Sequence, residues 1–231
     1  MNPRTVCAAV MCGMLVGLLG LAITMRPEAV ITLPERVAAE LSRSGVSHPV
    51  TAVLLNFRSL DTLLEIGVLL LAVVVAYALR ETQADPADRM GLDNRLLHAV
   101  IAWLFPLMLL VAGYLLWAGA TRPGGAFQAG ALLAAAGVLL RLAGIRPSDF
   151  AHTLGARAVL VFGLAVFLAV GLGAMAVGGH FLEYPPAWAS PFIFGVELAL
   201  MLSIGFALFS LFELAPPHPV SNKGARERSE T

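Results

Sequence analysis

Six stretches of this chain run for roughly 20 residues with almost no charge, the length an α-helix needs to cross the hydrocarbon core of a bilayer. They fall at about Val6–Met25, Leu60–Leu79, Leu97–Trp117, Phe127–Ile145, Ala158–Val177 and Phe192–Phe212, each bounded by charge, proline or glycine. Continuous apolar runs favour helices, which satisfy every backbone N–H and C=O within one segment, over the short alternating strands of an outer-membrane barrel. Charged residues make up 13% of the chain, about half the usual share in soluble domains, so these runs are not the buried cores of a soluble protein. The sequence therefore predicts an all-α integral membrane protein, six transmembrane helices in a bundle.

Arg4 precedes the first run, as it would in a signal peptide. The run is longer than a usual signal core and no A-x-A cleavage site follows, so a retained helix is expected. Cys7 and Cys12 lie inside that run and read as free thiols, with neither a disulfide framework nor metal-ligand spacing. Formal net charge is zero, which gives no basis for nucleic-acid binding. If both the N and C termini are cytoplasmic, the inner segments hold ten basic residues: Arg4, Arg80, Arg89, Arg95, Arg141, Arg146, Arg157, Lys223, Arg226 and Arg228. The outer segments then hold five, Arg26, Arg36, Arg43, Arg58 and Arg122, and the excess inside favours that orientation.

Composition shifts divide the chain further. "TLPERVAAELSRSG" carries Val30, Leu33, Val37 and Leu41 on one stripe, with Pro34 suited to a first turn and Gly45 to a stop. It reads as a short amphipathic helix at the outer interface or on a neighbouring subunit, the alternative being a plain linker. "RETQADPADRMGLDNR" is a charged seam. The organisation expected is a two-span unit at 1–80, a cytoplasmic linker at 81–96, a four-span unit at 97–213 and a disordered tail at 214–231. Ala165, Ala169 and Gly173, and likewise Gly130 and Ala134, repeat every fourth residue and read as close-packing faces.

The charges inside or beside the spans need explanation, because an intramembrane carboxylate is costly and requires protein or water around it. On an ideal continuous helix Arg58, Asp61 and Glu65 share a sector of roughly 60°, with Glu65 roughly 6 Å inside the span. That stripe is either a proton or sodium route, with Glu65 able to change protonation, or a salt bridge from Arg58 that fixes the helix entrance. Glu197 sits about five residues inside the last run with no basic residue in that run to pair with; its partner must be another helix, another subunit, water or a cation. Arg141 reads as snorkelling, Glu213 as reaching the headgroups, and His98 as an interfacial residue able to relay protons.

"RPGGAFQAG", Arg122 to Gly130, joins the third and fourth runs. Pro123, Gly124 and Gly125 demand a tight irregular turn, after which Gln128 enters the membrane with the next helix. The turn lacks the lysine and serine or threonine of a phosphate loop. No cysteine–histidine cluster, no nucleophile beside a base and no sizeable extramembrane domain is present, so the expectation is a non-enzyme without cofactor or metal.

Three segments carry a resemblance. "TAVLLNFRSLDTLLEIGVLLLA" resembles the N-F-R, D-T and E pattern of a small membrane subunit, or of the C-terminal segment of the large subunit, in Mrp-type sodium/proton antiporters and in the membrane arm of related membrane-bound hydrogenases. "PLMLLVAGYLLWAGATRPGGAFQAGALLAAAGVLL" resembles the MnhB/MrpB subunit, marked by a P-G-G-G-F-Q-G-G turn, and "FIFGVELALMLSIGFALF" resembles that subunit's last helix. Ala126 and Ala129 replace two glycines of that turn, and Gly119 is followed by Ala120 where the family commonly has histidine. The resemblance implies a fusion of two neighbouring small subunits, acting as a non-catalytic part of a cation/proton antiporter complex in the bacterial cytoplasmic membrane. It further implies other antiporter subunits and lipid as partners, Na+ and H+ as transported ions, and Asp61, Glu65 and Glu197 as pathway candidates; His98 joins them on its own titration chemistry, and Arg58, Pro123, Gly124, Gly125 and Gln128 read as the structural residues around them. Two other readings stay open: the same module in a redox-driven complex, and a self-sufficient small transporter.

Overall fold

The structure is a computed structural model that describes residues 3–25, 32–80, 95–144, 154–177, 179–185 and 188–214. Most of the charged seam, and all of the expected tail but Leu214, lie outside these residues. The described chain is helical, in order α1 (Pro3–Thr24), α2 (Leu33–Glu40), a 3-10 turn (Leu41–Arg43), α3 (Pro49–Ala52), a π-helical turn (Val53–Phe57), α4 (Ser59–Arg80), α5 (Arg95–Ala118), α6 (Ala126–Leu142), α7 (Leu154–Ala176) and α8 (Ala189–Leu214). Two compact units divide it, Met1–Ala38 and Ala39–Thr231.

Among the described residues four helices, α4, α5, α7 and α8, are long and apolar enough to cross a membrane, which makes the chain an all-α multi-pass membrane protein. Two more apolar helices are shorter, Ala9–Thr24 within α1 and the whole of α6. α6 is short because it starts only after an irregular turn and stops at Gly144, whose φ of 74° ends the helix as its N–H bonds back to Arg141 O. Its 17 residues span about 26 Å, a little under a hydrocarbon core.

Within the second unit α8 is the central post, packing against α6, α7, α4 and α5, and it is more than half buried where the other spans are mostly exposed. Lipid gives apolar side chains little reason to leave it, so close backbone approach and interhelical hydrogen bonds must hold the helices together. Gly130 of α6 supplies the first: a methyl there would stand 3.0 Å from Met201 O and 3.2 Å from Gly205 N. Ser203 Oγ supplies the second by donating to Leu160 O across to α7 at 2.5 Å.

The small-residue stripe expected on α7 faces outward. Ala165, Ala169 and Gly173 are exposed, and α7 packs instead through Ala156, Leu160, Gly163, Phe167 and Gly171. Every face of a span is apolar, so spacing alone does not reveal the packed one. The expected amphipathic segment is helical over Leu33–Glu40 and tightens into a 3-10 turn closed by an Arg43–Glu40 ion pair of 3.0 Å.

Candidate functional site

The turn between α5 and α6 builds the site. Gly125 N–H donates back to Leu115 O at 2.9 Å, so the chain folds over the last turns of α5, and a methyl on Gly124 would collide with the same carbonyl. Gly125 then adopts φ +116°, open only to glycine at low cost, and α6 begins at Ala126. The first N–H groups of a helix have no partner within it and carry partial positive charge. Glu197, reaching across from α8, fills that position: the Ala126 N–H donates to its carboxylate, and Oε1 stands 2.8 Å from where a Gly125 Cβ would be. The anomalous carboxylate of the last run is therefore buried against the start of α6, inside its own chain.

Tyr184, in the connection between α7 and α8, lies within electrostatic reach of this carboxylate. Its ring is buried and stacks on Phe192 with centroids 6.4 Å apart, and its hydroxyl has no hydrogen-bond partner among the described residues. Burial, reinforced by the Glu197 charge, pushes the phenol above its ordinary pKa, so it stays protonated and remains a donor. Sequence reading missed Tyr184; a tyrosine in a short apolar connection carries no signal until the carboxylate beside it is known.

The entrance to α4 departs from the expected continuous stripe. The π-helical turn ends with Arg58 N–H donating to Val53 O at 2.8 Å, and Arg58 itself is non-helical at φ −129°. Arg58 pairs with Asp61 at 2.5 Å, while Glu65 is exposed one turn further on. Arg58 and Asp61 line a polar cavity of about 920 Å³ with Arg43, His180, Glu183 and Tyr184, whereas Glu65 lines a separate lateral groove of about 560 Å³ with Phe127, Ile204 and Leu208. The π turn leaves Arg58 outside the regular helix that carries Asp61 and Glu65, so the 3.6-residue period runs through the two carboxylates but not through the arginine. Thr62 fixes the break by donating to Leu54 O at 2.7 Å.

The remaining expected polar residues also find local partners. Arg141 does not snorkel: its Nε donates to Glu213 Oε1 at 2.6 Å, joining the ends of α6 and α8 where both side chains are mostly covered, so Glu213 does not simply reach for headgroups. His98 Nε2 lies 2.8 Å from Ala143 O and donates to it, tying the start of α5 to the end of α6. Gln128 is exposed on the first turn of α6, as is Pro123 in the turn before it. On the other side of that turn, His48 N–H donates to Ala120 O at 3.1 Å and Thr51 Oγ1 to Gly119 O, so the segment before α4 is pinned to the α5–α6 turn. Among the described residues no group of histidines, cysteines and carboxylates could hold a metal ion.

Residues 96–213, half of the chain, match the family described as a domain related to the MnhB subunit of Na+/H+ antiporter. The chain belongs to this MnhB-related family. A curated relative from Rhizobium meliloti (strain 1021), a probable K(+)/H(+) antiporter A/B subunit, is 29% identical over an alignment covering 78% of this chain and 21% of that protein. The chain thus spans about a fifth of that relative's length. The solved Mrp complex from Dietzia sp. DQ12-45-1b holds a chain with a TM-score of 0.59 at 26% identity, the match covering 91% of this chain and 26% of that one. The membrane-bound sulfane sulfur reductase, an archaeal respiratory membrane complex, contains a chain of the same fold, with a TM-score of 0.66 at 23% identity over 91% of this chain and 97% of that one. The MnhB-related match spans both the glycine turn and Glu197, which meet in the structure at the start of α6.

Proposed function

We propose that this MnhB-related chain is a non-catalytic membrane subunit of a monovalent cation/proton antiporter assembly, contributing both framework and ion path. The observation that carries the reading is the family match over residues 96–213, the segment that buries Glu197 at the start of α6. A membrane-depth carboxylate held by one amide keeps acceptor capacity for a proton or a cation, and Glu65 in its apolar groove is a second such group. Asp61, tied to Arg58, and His98, tied to Ala143 O, fix the helices around the path. The relatives name sodium and potassium as partners of the proton, so both cations belong in the test.

The proposed arrangement has six spans with both termini cytoplasmic in a bacterial cytoplasmic membrane, α1 and α6 supplying the two shorter crossings. Basic residues favour that orientation ten to five. The unit at 1–80 and the unit at 97–213 stand for two fused small subunits, with large antiporter-like subunits and lipid as neighbours. Glu65→Gln and Glu197→Gln, each in the assembled complex, should lower sodium- or potassium-driven proton exchange in everted vesicles while leaving assembly intact. Unchanged exchange in both would reduce the two carboxylates to packing roles.

A second reading rests on the near-complete coverage of a chain in a respiratory membrane complex. In that case the same module serves a redox-driven engine. Purification from native membrane in mild detergent, followed by mass spectrometry, separates the two: iron–sulfur proteins in the complex favour the redox assembly, and large antiporter-like chains without them favour the antiporter. A chain that purifies alone and moves ions by itself in liposomes would overturn both.

A further inference from the structure

α4 and α6 both pack on α8, and the lateral groove of about 560 Å³ is lined by all three helices. α4 contributes Leu64, Val68 and Ala72, α6 contributes Phe127, and α8 contributes Ile204 and Leu208. The three α4 residues are exposed and stand four apart in sequence, so they form a ridge roughly 12 Å long on one face of the helix. A ridge of that spacing is what packs into the side-chain grooves of another helix.

One group in the groove does not suit lipid. Glu65 is exposed there, every other lining side chain is apolar, and the carboxylate has no hydrogen bond or ion pair among the described residues. Arg58, the nearest basic residue in sequence, is paired with Asp61 and lines the other cavity. Glu65 lies roughly 9 Å along α4 from Ser59, inside a span, where a carboxylate needs a donor or a positive charge beside it. An acyl chain supplies neither. A second copy of this chain offers no basic side chain inside a span: Arg80, Arg95, His98, Arg141 and Arg157 stand in the end turns of their helices, and Arg141 is committed to Glu213.

We propose that this groove seats a transmembrane helix of another subunit, and that a lysine or arginine on that helix pairs with Glu65. The apolar walls take the helix's apolar face, the helix-in-groove mode of recognition. The carboxylate selects the partner and its register, because a helix with an apolar or acidic residue at that level would leave Glu65 unpaired. The proposal rests on the reading of this chain as one subunit of an assembly, and it names the chemistry of the neighbour that touches Glu65. Glutamine at position 65 still accepts a hydrogen bond from the basic side chain, so Glu65→Gln keeps the helix seated, whereas lysine there repels it.

The experiment places the photoreactive residue p-benzoylphenylalanine at Val68, with Glu65 native, and irradiates the assembled complex in its own membrane. Peptide mapping of the adduct should give a transmembrane segment of another subunit with a lysine or arginine within one turn of the cross-linked residue. Glu65→Lys should then lower recovery of that subunit with this chain at least fivefold in mild detergent, and changing the mapped basic residue to glutamate in the same cells should restore at least half of it. Adducts with lipid alone, with this chain's own peptides or with a helix that carries no basic residue overturn the proposal, as does a charge exchange that restores nothing. The cross-link keeps the native carboxylate, so it carries the test even if Glu65→Lys does not fold. A complex that retains its antiporter-like subunits but gives only lipid adducts overturns the docked helix and leaves the antiporter reading standing; a chain that purifies alone overturns both.

Discussion

Glu197 Oε1 lies 2.8 Å from the place a Gly125 side chain would occupy, so a residue of the last span decides what the α5–α6 turn can contain. The two constraints at Gly125 are independent. Its φ of +116° disfavours any side chain, and the carboxylate takes the space in which one would sit. The alanines at 126 and 129 meet no such conflict, because both begin α6 with ordinary helical geometry and are buried.

Gly125→Ala should therefore lower the stability of the detergent-solubilised protein by about 1–3 kcal/mol, the usual cost of a strained backbone conformation, in denaturant or thermal unfolding. Gly195→Ala, where an added methyl meets nothing within 4 Å, should change it by less than about 0.5 kcal/mol. In the double variant Gly125→Ala/Glu197→Ala the losses should be less than additive, since the second change removes the atom that the new methyl strikes. Strict additivity would place the carboxylate away from the turn.

The Arg141–Glu213 pair closes the opposite end of α6 against α8, 72 residues apart in sequence. Removing one partner leaves a poorly solvated charge, so Arg141→Leu or Glu213→Leu alone should cost about 3 kcal/mol. Replacing both should cost less than the two single changes added together, because the pairing can be lost only once. A loss in the double variant equal to the sum of the two single losses would mean that the pair contributes nothing as a pair.

His98 is a latch in this structure, holding the end of α6 through Ala143 O. His98→Ala should lower stability by about 1 kcal/mol, the net worth of one hydrogen bond, and should leave the pH profile of cation/proton exchange where it was. A displaced profile would return His98 to the proton path.

The helices were legible in sequence because in lipid the length of an apolar run decides the element almost alone. Leu60–Leu79 became Ser59–Arg80, and Phe192–Phe212 became Ala189–Leu214. What escaped was anything set by contact across the bundle. Glu197 could be flagged as needing a partner, but the partner is the backbone amide of Ala126 on another helix, and amides leave no mark in composition. The same limit explains Arg141, whose place near a helix end suggested snorkelling when a carboxylate stood on the next helix. The π turn at Val53–Phe57 was invisible because its extra residue looks like any other in an apolar stretch, yet it leaves Arg58 outside the helix that carries Asp61 and Glu65.

Glu183 gives the α7–α8 connection its pH dependence. Its carboxyl is held below the usual carboxylate range chiefly by the His180 backbone N–H at 2.8 Å, and further by the His180 side chain and the nearby Arg43 charge. A depressed folded pKa means that this contribution to loop order is complete above the unfolded value, near about 4.3, and is lost as pH falls through the lower folded one. Amide hydrogen exchange over residues 179–185, corrected for intrinsic rates, should therefore quicken on acidification through and below that range. Glu183→Gln should show the quickened exchange already at neutral pH, with the acid dependence gone. A native acid response surviving in Glu183→Gln would assign it to another group, and Tyr184 would then be seated independently of the carboxylate beside it.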